Sequence, residues 1–155
     1  MAPLVFLLVG AAAALAAGRA GVRATSSWPA AVRCGLALMF TATGLAHFVG
    51  MREELVAMVP PALPAPELLV AVTGVLELVG AAALLWPRTA PWSAAGLALM
   101  LVAMFPANVH KALTQAGLPW DERLVPRTLL QAVFLAAALS VVVHHLRNRR
   151  AAPRD

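Results

Sequence analysis

Charged residues in this chain stand about a membrane's width apart. Eighteen residues precede Arg19, 18 lie between Arg33 and Arg52, 20 between Glu67 and Arg88, 22 between Arg88 and Lys111, and 19 between Arg127 and Arg147. Glu77 is the one charge inside any of these stretches. At about 1.5 Å per residue, a helix of that length covers roughly 27 to 33 Å, close to the thickness of a bilayer's hydrocarbon core. The spacing predicts five membrane spans near residues 2–18, 31–51, 67–86, 91–109 and 127–146.

Composition agrees. Hydrophobic residues make up 61% of the chain and charged residues 12%, against about 25% charged in ordinary soluble domains. Seven acidic residues and a mean hydropathy of +0.81 leave too little polar surface to cover a water-soluble globule. A net charge of +5 would suggest nucleic acid as the partner of a soluble protein. Here the charges bound apolar runs, so they read as topology signals and the predicted partner is the lipid bilayer, with no nucleic acid. Cys34 is the sole cysteine, which excludes an internal disulfide and a CxxC redox pair.

Orientation follows from the basic residues. With five spans and the N-terminus outside, the inner side collects Arg19, Arg23, Arg33, Arg88, Arg147, Arg149, Arg150 and Arg154, and the outer side Arg52, Lys111, Arg123 and Arg127, which is 8 against 4. The first span has the small residues of a signal peptide, AAAALAAG, but its arginines follow the apolar run instead of preceding it. The reading adopted is therefore a multi-pass protein of the cytoplasmic (plasma) membrane, N-terminus outside and C-terminus cytosolic. It divides into an N-terminal span and inner loop (1–26), a four-helix core (27–146) and a basic cytosolic tail (147–155). The tail reads as a disordered anchor near anionic lipid. VPPALPAPE, residues 59–67, predicts a stiff outer loop, because its four prolines cannot continue a helix. WPRTAPW, residues 86–92, predicts a tight inner turn with interfacial tryptophans at both ends.

The informative residues are those a membrane should exclude. Glu77 falls near the middle of the third span, with Thr73, Gly74, Gly80 and Ala81 three or four residues away on one small, polar helical face. A charged side chain at mid-membrane costs about 2.5 to 3.5 kcal/mol on insertion scales, so it turns inward toward a partner. The proposed topology brings His47, Asn108, Arg127 and Gln131 to the same leaflet from three further helices, with Thr43 one turn below His47. Together they predict an outward-opening polar pocket of His47, Thr73, Glu77, Asn108, Arg127 and Gln131. Each residue has a plainer reading: a wetted interfacial histidine, a snorkelling arginine, a neutral glutamate making one interhelical bond. One His and one Glu without HxxxH or ExxH spacing do not compose a metal site, and none is predicted. Walker, Gly-x-Ser-x-Gly and dinucleotide motifs are absent from the sequence. Glycines 44, 74, 80 and 96 predict close helix packing.

RCGLALMFTATGLAHF (33–48), GVLELVGAAALL (74–85), MFPANVHKA (104–112) and PRTLLQ (126–131) together resemble the DoxX-like family of small bacterial membrane proteins. Arg33, Gly44, Gly74, Glu77, Gly80, Asn108, Arg127 and Gln131 carry most of that resemblance. It implies an all-α membrane protein, a four-helix transmembrane bundle with one additional N-terminal transmembrane helix. It also implies association with quinone-reducing or other oxidoreductase systems, and so a membrane or periplasmic redox partner protein and possible quinone binding. The missing cysteine pair departs from any thiol role. Three functions from different classes stay open: a redox-associated subunit binding a quinone or similar amphipath, a non-catalytic scaffold or assembly partner, and a small-molecule or proton carrier. The carrier lacks the inverted repeats and broken midplane helices such folds use.

Overall fold

The computed structural model describes residues 1–151. It contains six α-helices: α1 (Ala2–Arg19), α2 (Trp28–Ala46), α3 (Arg52–Met58), α4 (Pro66–Leu84), α5 (Ala90–Thr114) and α6 (Leu124–Ala151). Single 3-10 turns lie at Arg23–Thr25 and Trp120–Glu122. All of these except α3 and the two turns are long and apolar enough to cross a membrane. The fold is an all-α bundle in which α2, α4, α5 and α6 share one core and α1 packs chiefly on α2.

That core is built from Leu36, Met39 and Phe40 of α2, Leu84 of α4, Ala94 and Leu97 of α5, and Phe134, Ala138 and Val141 of α6. The opposite faces carry Leu8, Leu68, Val75, Val79, Leu99 and Leu129, all more than half exposed. Such an outward apolar surface is what lipid solvates. Small residues set the interhelical distances: a Cβ placed on Gly35 would stand 2.4 Å from the Leu7 carbonyl oxygen, so α1 and α2 touch backbone to backbone there. Gly44, Gly74 and Gly80 are likewise crowded by side chains of neighbouring helices, whereas Gly96 faces open space and does not mediate packing.

Helix ends follow local chemistry. The side chain of Ser27 accepts from the Ala30 amide and Pro29 pre-sets the first turn, so α2 starts three residues before the predicted span. It stops at Ala46, and Gly50, at φ 80°, turns the chain toward α3. The proline-rich loop is therefore preceded by a short helix that composition did not indicate. α5 runs beyond its predicted end to Thr114, through Pro106. α6 continues to Ala151, so residues 147–151 are helical, not disordered; arginine is a good helix former and suits the negative end of the helix dipole. The rest of the predicted tail, 152–155, lies outside the described residues.

The chain alternates direction, so one end of the bundle gathers α3, the Trp120–Glu122 turn and the start of α1. The Met1 amino group lies 2.5 Å from Asp121 Oδ2. Its hydrogen bond holds the Asp121 carboxyl below the ordinary aspartate range. This is the α3 end. The Arg23–Thr25 turn, the tight turn between α4 and α5, and the last turns of α6 form the other, arginine-rich end. In the tight turn the Thr89 hydroxyl donates to the Ala83 carbonyl at 2.6 Å, satisfying one of the last acceptors of α4.

Candidate functional site

The six residues singled out from the sequence fall along two helix seams. On the α2/α4 seam, His47 and Glu77 are 3% and 4% exposed, a burial that separates them from every other His and acidic residue among the described residues. Their packing is reciprocal. His47, the residue capping the end of α2, lies over Gly74 of α4, whose added Cβ would sit 2.6 Å from His47 Cβ, and Glu77 of α4 lies over Gly44 of α2, with 3.1 Å between the corresponding atoms. The spacing of three in each helix, 44 and 47 against 74 and 77, brings both glycines and both polar side chains to one contact face.

Thr43, one turn from His47, links the two. Its hydroxyl lies 2.5 Å from Glu77 Oε2 and 3.2 Å from the Met39 carbonyl. A threonine hydroxyl has one proton to give, so the chain Glu77–Thr43–Met39 accommodates the carboxyl in either protonation state: the hydroxyl donates to a carboxylate, or it accepts from a carboxylic acid and donates to Met39. His47 Nδ1 is 2.9 Å from the Thr43 carbonyl, a pure acceptor, so Nδ1 carries a proton. In the neutral ring Nε2 is then the acceptor. Among the described residues no hydrogen bond engages His47 Nε2 or Glu77 Oε1. Thr73 is turned away from this chemistry: its hydroxyl donates to Leu69 and Val70 of its own helix, at 2.8 and 3.1 Å.

The α5/α6 seam is organised differently. Arg127 Nη1 donates to Asn108 Oδ1, and one turn deeper Gln131 Nε2 donates to the Leu101 carbonyl at 2.6 Å. Pro106 lacks the amide that would bond the carbonyl of Val102, and the glutamine cross-link falls beside that interrupted stretch. All three polar side chains on this seam therefore tie the two helices together. Among the described residues no hydrogen bond joins the α5/α6 group to the His47–Glu77 group.

One further group was not apparent from sequence. Lys111, one turn beyond Asn108 on α5, is 2% exposed and ion-pairs with Glu54 of α3 and with Glu122 of the 3-10 turn, the latter at 2.7 Å. Charge counting treats Lys111 as a loop marker. The available signal was its spacing of three from Asn108 combined with an acidic residue in each outer loop. Lys111 joins both loops to the end of α5.

A family model described as Domain of unknown function (DUF8561) matches residues 36–145, and the chain belongs to that family. The match spans α2 from its third turn through most of α6 and leaves α1 outside. No curated protein and no solved structure matches the chain.

Proposed function

We propose that this DUF8561 member is a redox-associated membrane subunit whose α2/α4 seam binds the polar head of a quinone or similar amphipath. One observation carries the reading: His47 and Glu77 are buried side by side in an apolar bundle, and each keeps a polar atom that no protein group engages. Neither atom is sealed off, since Arg33 Nε is the one buried unpartnered side-chain nitrogen or oxygen among the described residues, so a bound hydroxyl or carbonyl can reach both. Nε2 of a neutral His47 accepts a hydrogen bond, so it suits the hydroxyl of a reduced, quinol-type head. The Glu77–Thr43–Met39 chain provides a carboxyl that can gain or lose the accompanying proton without losing its hydrogen bond. The likeness to DoxX-like membrane proteins supplies the redox setting and implies a membrane or periplasmic partner protein. In this reading the α3 end faces the periplasm of a bacterium and the arginine-rich end its cytosol, as the basic-residue count supports.

A scaffold reading is favoured by a different observation, the internal hydrogen bonding of Asn108, Arg127 and Gln131. The two part at Glu77. Mass spectrometry of lipids and quinones that copurify with the protein in mild detergent is expected to find an amphipath retained by the native chain. Glu77→Gln, which keeps volume and hydrogen bonding, is expected to lose it while folding and inserting normally. Equal retention by the Gln variant leaves the scaffold reading standing.

A further inference from the structure

The two ends of the bundle are opposite in charge character. Every described Asp and Glu belongs to the α3 end, apart from Glu77 within α4. The other end carries Arg19, Arg23, Arg33 and Arg88 together with the three arginines of the last turns of α6, and has no acidic residue among the described residues. Three exposed tryptophans, Trp28, Trp86 and Trp92, lie at that same end, at 67%, 61% and 76% exposure. Indole rings in that position mark the boundary between headgroups and acyl chains.

Arg33 differs from its neighbours. It lies five residues past the start of α2, about 7.5 Å along the helix axis and so below the tryptophan level. It is half-buried, and its Nε is the one buried side-chain nitrogen or oxygen among the described residues with no hydrogen-bond partner. Arginine does not lose its charge at any working pH. Nε is shielded by the protein, while no described carboxylate pairs with the guanidinium and its two Nη groups stay open, an edge whose geometry suits the paired oxygens of a phosphate.

We propose that this end of the bundle is a binding site for anionic phospholipid, with the Arg33 guanidinium seated on a lipid phosphate and the surrounding arginines selecting a net negative headgroup. The acyl chains lie along the exposed apolar faces beneath the tryptophans. Diffuse attraction by the α6 arginines adds to this site and is screened by salt, whereas the Arg33 contact, removed from water, is screened less. The site is independent of what occupies the α2/α4 seam.

Native mass spectrometry of the full chain in detergent, titrated separately with phosphatidylglycerol, phosphatidylcholine and inorganic phosphate, tests this. Phosphatidylglycerol adducts are expected to survive activation, phosphatidylcholine adducts to be lost, and inorganic phosphate neither to bind stably nor to displace the lipid. Arg33→Gln is expected to weaken phosphatidylglycerol binding about fivefold or more, the effect of one interfacial cation. Arg33→Lys, which keeps the charge and loses the fork, is expected to fall between the two. Arg149→Gln with Arg150→Gln is expected to lower binding at low salt and leave it nearly unchanged at high salt. Equal binding of both lipids overturns the proposal, as does displacement by free phosphate. If Arg33→Gln does not fold, the Lys variant decides, and undiminished binding by it overturns the assignment.

Discussion

The α5/α6 seam and the α2/α4 seam solve the same problem in opposite ways. Both hold polar side chains in a bundle whose surroundings offer no water. On α5/α6 Arg127 meets Asn108 and Gln131 meets a backbone carbonyl across the seam, and beyond its end Lys111 meets the carboxylates of Glu54 in α3 and Glu122 in the 3-10 turn. On α2/α4 the link runs through Thr43 alone, and His47 Nε2 and Glu77 Oε1 remain unengaged among the described residues. A fully satisfied network specifies one arrangement of helices, whereas a partly satisfied one leaves room for a ligand. The contrast implies that substitutions on α5/α6 act on stability, while those on α2/α4 separate stability from binding.

The largest effect is expected at Lys111. Replacing both acids, Glu54→Gln with Glu122→Gln, leaves a nearly fully buried ammonium without a counter-charge and should lower stability by about 3 kcal/mol or more, read from thermal unfolding in detergent. Lys111→Met should cost less, because Glu54 and Glu122 are 41% and 28% exposed and can hydrate. The reverse order would show that the loops, not the buried cation, are the sensitive element. Next comes Arg127→Gln, expected to cost about 1 to 3 kcal/mol by leaving Asn108 unpaired, with no change in copurified amphipath. Loss of the ligand in that variant would erase the distinction between the seams. The glycines come last and include the smallest effect, at Gly96. Gly74→Ala should cost about 1 to 3 kcal/mol, because its Cβ would meet His47, and Gly96→Ala, with nothing within 4 Å, should stay within about 0.5 kcal/mol. Equal melting temperatures for these two variants would remove the close α2/α4 contact from the account.

The five spans were legible because the charge-free stretches are long and the bilayer thickness is a single external ruler. Their ends were less so. Capping by Ser27 and the run of α5 through Pro106 depend on partners that hydropathy does not register. The pairing of Thr43 and His47 on one helical face could be read from their spacing, and so could the turn between Arg127 and Gln131. Which helix each would meet could not. Glu77 is opposite Thr43, 34 positions away, because Gly44 and Gly74 let α2 and α4 approach, a tertiary outcome that neither stretch of sequence announces alone. Thr73 illustrates the limit: its spacing from Glu77 is right, yet a hydroxyl in a helix has its own carbonyls within reach and takes them. Lys111 was missed for a related reason, since its ion pairs depend on how α3, distant in sequence, and the nearer Trp120–Glu122 turn fold back over the end of α5.

The backbone contact between α1 and α2 bears on how the chain is made. Because α1 rests chiefly on α2, with Gly10 and Gly35 facing one another, its whole principal partner is synthesised within the next two dozen or so residues. The first two helices can therefore pair as a closed hairpin before the later helices of the core have left the insertion machinery. The later helices then assemble against a preformed wall, and α2 serves as the template on which both halves of the molecule are ordered.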